Sequence, residues 1–261
     1  MTGIHRRLAA AAAVLATLTV GLAGSPAGAA PPDTGSKLAA VDNGDVYTVE
    51  RLANGELRVG LHEPAGSPEA LRRSLRAQGK NVLAAGETPP GGGMGLLACV
   101  TYGTAAQWCN HAWSYGPFND PQVYFLDYTP AGFPVTDAVA DWYQSPGIDA
   151  YYRWNTQGCP GGGRHCVDVR TYNAGPDEFG VTYWNANAPE GPVSVYLASH
   201  MAGTNQARKS TCHELGHALG LDHNSSTNSC MKQGRIAAGW SLHPSSQDFE
   251  VLNRVYPKPG T

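Results

Sequence analysis

From position 46 the chain alternates apolar and polar residues in short runs. VYTVE (46–50) and ELRVGLH (56–62) each carry the two-residue period of a half-buried strand. Asn54-Gly55 between them is a dipeptide favoured in tight hairpin turns. SPEALRRSLRAQ (67–78) changes to helical spacing, with Ser67 placed to cap and Pro68 at the first helical position. GETPPGGGMG (86–95) suits no regular element. Beyond it, QVYFLDYT (122–129) reads as a strand. PVTDAVADWYQ (134–144) reads as a helix with Thr136 as its cap and Val139, Trp142 and Tyr143 turned to the core. DAYYRWN, CVDVRTYN, GVTYWN and PVSVYLAS are further strands, followed by a helix over about 205–219. In HPSSQDFEVLNRVY (243–256), Ser245 and Asp248 form a capping box that opens a last helix. This succession predicts an α+β (α/β-like) domain, a twisted sheet packed on helices. PVSVYLAS, just before the helix over 205–219, is the candidate sheet edge for an extended peptide, with an internal strand as the alternative.

The first residues follow a different pattern. MTGIHRR is basic, 8–23 is an Ala-rich apolar run, and SPAGAA offers small residues for cleavage. The run is short of the roughly 20 residues that a membrane span needs, so 1–29 reads as a signal peptide and the product as secreted. The Gly/Pro break then divides the rest into 30–95, a pro-segment or small N-terminal module, and 96–261, the main domain. The alternative is that 30–95 stays attached as part of one folded unit. At 261 residues and 42% apolar the chain can bury a substantial core. A net charge of −3, with no recurring Lys/Arg block, argues against nucleic acid as a partner. A monomer outside the cell, free of the membrane, is expected.

Six cysteines, all beyond residue 98, suit an oxidising compartment. Fifteen connectivities can be written for six cysteines. Sequence-near pairing is expected: Cys99 with Cys109, Cys159 with Cys166, and Cys212 with Cys230. A second metal site at Cys159–Cys166, beside His165, is the rival there.

The densest chemistry lies in HELGHALGLDH (213–223). His213 and His217 stand one turn apart on one helix face, where two imidazoles can converge on a metal ion. Glu214 lies about 100° round the axis, near such an ion without having to ligate it. Gly220 suits a left-handed helix end, and the reversal would let His223 supply a third ligand, leaving the fourth position for water. Asp222 is the rival third ligand. His111, His165, His200 and His243 lack ligand spacing and read as surface or locally hydrogen-bonded.

The stretch from His213 to His223 resembles the extended zinc signature of the metzincin metalloendopeptidases. Met231, in SCMKQG, stands where that family has its Met-turn. The chain is similar to the matrixins in its third histidine, with the snapalysin-like proteases as the nearest rival. Those carry an aspartate where this chain has His223. Gln233 stands where astacin-like members have a tyrosine, and 30–98 lacks the cysteine of the matrixin switch. The resemblance implies a metzincin-type zincin fold: a twisted, mostly parallel sheet, an active-site helix, a Met-turn and a C-terminal helix. It implies one catalytic Zn2+ held by His213, His217 and His223, with Glu214 as general base and acid toward an extended peptide or protein substrate. Two other readings stand beside it: a non-catalytic zinc-binding protein of the same fold, and a zinc amidase on a non-protein substrate.

Overall fold

Alternation and turn chemistry account for the first elements of the computed structural model, which describes residues 44–90, 99–109, 111–186, 188 and 191–259. Strands β1 (Val46–Arg51) and β2 (Leu57–Pro64) pair antiparallel across a turn in which Gly55 has φ 85°. Helix α1 (Pro68–Ala77) starts where the Ser67 hydroxyl accepts from the Ala70 amide at 3.2 Å. The short hairpin β3 (Thr101–Tyr102) and β4 (Ala105–Ala106) follows. Then come β5 (Gln122–Asp127), α2 (Val135–Trp142), β6 (Asp149–Trp154), β7 (His165–Tyr172), β8 (Glu178–Asn185) and β9 (Val193–Ala198). Two helices, α3 (Asn205–Ala218) and α4 (Ser246–Val255), end the chain.

Seven strands form one mixed sheet in the order β1-β2-β8-β9-β7-β5-β6. β6, β5, β7 and β9 run parallel, while β8 is antiparallel to β9 and β2 is antiparallel to β8. The molecule is therefore a mixed α/β structure, as the sequence pattern leads one to expect. Val123, Phe125, Val167, Val169, Val195 and Leu197 from the sheet meet Val139, Trp142, Leu215 and Leu219 from the helices in one buried core. Each such side chain stabilises the fold by about 1.5–3 kcal/mol relative to exposure. Val59, Leu61 and Ala65 belong to the same core, so the described part of 44–90 shares sheet and interior with the rest.

Three expectations need correction. PVSVYLAS is not an edge: β9 is bonded on both sides, to β7 and β8. The chain lays β8 down first and β9 then fills the gap between it and β7, an order that no local pattern encodes. Thr136 does not cap α2, whose cap position is Pro134, two residues earlier, with no side-chain cap bond. Tyr143 sits past the last turn of that helix and is 59% exposed, while Val139 and Trp142 are buried.

The cysteines pair as Cys99–Cys109, Cys159–Cys166 and Cys212–Cys230, which accounts for all six and suits an oxidising, extracellular-type environment. Among the described residues no helix is long and apolar enough to cross a membrane. Residues 1–29, expected to be a signal peptide, lie outside the described residues.

Candidate metal centre

Helix α3 opens at Thr204, whose hydroxyl accepts from the Ala207 amide at 3.1 Å. It ends at Gly220, with φ 104°. The Gly220 amide donates to His217 O at 2.9 Å and the Leu221 amide to Gly216 O at 3.0 Å, which turns the last carbonyls inward. A Cβ at Gly220 would stand 3.0 Å from the Tyr256 hydroxyl and 3.1 Å from His111 O, so glycine is needed for space as well as for φ. The reversed chain then bonds back through the Asp222 amide to Ala106 O at 2.9 Å. This carries His223 over the helix.

His213, His217 and His223 consequently meet, with ring centroids 4.5, 5.1 and 4.8 Å apart. Each ring is fixed through Nδ1. His213 donates to Cys230 O at 2.9 Å, His217 to Leu221 O at 2.8 Å, and His223 to an Asp45 carboxylate oxygen at 2.6 Å. These bonds favour a proton on each Nδ1 and gather the three remaining ring nitrogens within 4.8 Å of one another; at His223 burial lowers the pKa, but the Asp45 carboxylate outweighs it and raises the pKa. The Nε2 atoms of His213 and His217 approach to 3.0 Å, where two lone pairs repel unless a cation or proton lies between them. His223 Nε2 is buried without a hydrogen-bond partner. Burial holds His213 and His217 well below the ordinary histidine range, in the neutral form a metal requires; for His213 the Lys209 ammonium adds to this. The donor set fits a divalent cation with a preference for nitrogen, zinc among them.

Asp222 points elsewhere. Its carboxylate accepts from the His223 amide at 2.6 Å and groups with Asp45 and His223, apart from His213 and His217. Burial, with Asp45 beside it, pushes its pKa up to about 6.

Glu214 is fully buried next to the histidines. Thr182 on β8 donates to one carboxylate oxygen at 2.6 Å, while the other, Oε1, has no partner. Gly180, also on β8, leaves the room: a Cβ there would lie 2.7 Å from Oε1. Burial, and secondarily the Glu63 carboxylate, raises the Glu214 pKa well above the usual carboxylate value. This arrangement can take up a proton at Oε1 and give it back.

Met231 is fully buried below the helix. A Cβ at Gly216 would stand 2.3 Å from its sulfur and 2.7 Å from the Trp142 ring, so the glycine between the two helical histidines lets the methionine pack there. Gly216→Ala is expected to cost about 1–3 kcal/mol as overpacking, read as a lowered urea midpoint with an unchanged slope. The turn bearing Met231 is held by Cys212–Cys230 and by Asp248. Asp248 completes the capping box with Ser245 and also accepts from Ser229 at 2.6 Å and from Asn224 at 2.8 Å.

Sequence reasoning missed four residues at this site. Asp45 and Glu63 come from the N-terminal strands' region, and Thr182 and Lys209 from β8 and α3. Only Lys209, one turn before His213, stood where the motif could have drawn attention to it. Of the two environments expected for His111, it takes the hydrogen-bonded one and is buried, with Nε2 3.1 Å from Ala218 O at the helix end. His165 lies 2.8 Å from Ser114 O, and His243 is paired with Asp141 at the surface. No protein-family model matches the chain. A search of curated proteins returns no match either.

Proposed function

We propose that the chain is a secreted, zinc-dependent endopeptidase of the metzincin type, hydrolysing peptide bonds with Glu214 as general base and acid. The observation that carries this is the convergence of His213, His217 and His223 beside a buried carboxylate with one free oxygen, two of the rings fixed through Nδ1 by carbonyls of 96–261 and the third by Asp45 while 30–95 is attached. The Nε2 atoms of His213, His217 and His223 would hold the ion. In such a site zinc supplies an acidified water and a polarising charge for the scissile carbonyl. Glu214 would serve as proton acceptor at Oε1 and as proton donor to the leaving amine, with its other oxygen held in place by the Thr182 hydroxyl. The sheet, the helix bearing two histidines, the methionine turn and the C-terminal helix support the finer fold assignment.

The non-catalytic reading is the second one. Glu214 disfavours it, since a mere metal holder has no use for a buried carboxylate with a raised pKa beside its ligands. A zinc amidase on a non-protein substrate would share every residue named so far. A diverse peptide library separates the readings: the mature zinc-loaded protein should cleave peptides, lose the activity on chelation and regain it with zinc. Binding of zinc without cleavage of any peptide would leave the non-catalytic or amidase reading in its place.

In the same reading 30–95 is a pro-segment. The N-terminus of active secreted protein is expected within about ten residues of Gly91, the margin that boundary placement allows. N-terminal sequencing that starts at Ala30 or Pro31 would refute this.

A further inference from the structure

Lys209 lies one helical turn before His213, and its side chain is completely buried. A buried ammonium without an anion is strongly unfavourable. Its anion is Glu63 of β2, equally buried and in direct contact with Lys209 Nζ. Lys209 Nζ also lies 3.4 Å from Gly234 O and 3.5 Å from His213 Nδ1, so the pair abuts a metal-binding histidine. Atoms of Glu63, His213 and Glu214 lie within 4.8 Å of one another, and Glu63 Oε2 has no hydrogen-bond partner.

The strand that delivers Glu63 is an extended peptide laid antiparallel on β8. Leu61 faces Thr182, His62 faces Val181 and Glu63 faces Gly180. Thr182 and Gly180 are the two β8 residues that hold and accommodate Glu214. β2 thus makes the contacts of a peptide bound by strand addition beside the proton-transferring carboxylate, with an acidic side chain seated against a buried cation.

We propose that Lys209 selects an acidic side chain on a peptide laid along β8 in the place now taken by β2, and that β2 with Glu63 is the internal occupant of that place. The substrate class is then peptides carrying Glu or Asp at the position now filled by Glu63. This deepens the endopeptidase reading and rests on it for the word substrate, but the recognition itself is tested by binding.

The probe is fluorescein-labelled LRVGLHEPAG, a copy of residues 57–66, against the same peptide with leucine in place of its glutamate. Both are titrated by anisotropy onto the full-length chain carrying Gly60→Val and Glu63→Ala. A Cβ at Gly60 would stand 2.5 Å from a Tyr183 ring carbon, so the first substitution loosens β2 from β8 and the second empties the pocket. The glutamate peptide is expected to bind at least about tenfold more tightly, a modest yield for a hydrogen bond to a charged group. Adding Lys209→Leu should erase the difference. Equal binding of the two peptides, or a difference that survives Lys209→Leu, overturns the proposal. Should the double substitution not fold, as judged by circular dichroism, Glu63→Ala alone is titrated on the same criterion, with hydrogen exchange at 57–64 reporting that β2 has loosened. The zinc-loaded chain is then offered the peptide library. Acid-selective binding without cleavage retires the protease reading and keeps the pocket; cleavage with equal binding does the reverse.

Discussion

Glu214→Gln is expected to retain about one zinc per chain and to lose at least roughly a hundredfold in proteolysis of an unfolded protein substrate, the effect typical of a missing general base or acid. Glutamine keeps the size of the side chain and can still meet the Thr182 hydroxyl, so the architecture has no reason to change. What disappears is the ability to take a proton at Oε1, the oxygen without a partner. Metal content measured beside the rate distinguishes this outcome from loss of the ion. A variant that cleaves as fast as wild type would place the activity elsewhere, in another site or another protein.

The second large effect separates the ligands from their support. His223→Ala removes one of the three converging ring nitrogens, and the metal affinity should fall further than the roughly 10–100-fold seen when an outer partner of a ligand is lost. In the full-length chain, with 30–95 still attached, Asp45→Asn removes the carboxylate that accepts from His223 Nδ1 at 2.6 Å but leaves every ligand, so its effect should lie inside that 10–100-fold range. Asp222→Ala should retain metal best, since its carboxylate is turned away from His213 and His217. Competition with a chromogenic chelator ranks the three variants. Asp222→Ala losing metal before His223→Ala would make the aspartate the ligand.

What the sequence disclosed depended on how far apart the interacting residues are. The Asn54-Gly55 turn, the Ser67 cap and the Ser245–Asp248 box act over two to four positions, and their residue types carry the physics within that span. The convergence of His213, His217 and His223 was legible for the same reason: a helix period and one glycine reversal bring them together. The partners behind and beside the site were not. Asp45 and His223 are 178 positions apart, and Lys209 and Glu63 are 146 apart. Such pairs follow from strand order, which a two-residue period leaves open: any alternating run can lie beside any other. The expectation of β9 at the sheet edge failed on that point. Thr136 failed differently, because several residue types can start a helix and Pro134 already supplied a suitable backbone.

The hairpin β1–β2 is held to the rest by the β8 ladder, the shared core and the Lys209–Glu63 pair. No disulfide reaches it, because every cysteine lies at residue 99 or beyond. It also lies at one end of the sheet, so it can depart without disturbing the order of the other five strands. While the chain between 90 and 99 is intact, the contact of the hairpin with β8 is intramolecular and independent of protein concentration. Once that segment is cut, the same contacts become a bimolecular equilibrium, and dilution alone opposes them. A molecule nicked there would therefore shed its hairpin on dilution, and the extent of opening would depend on protein concentration.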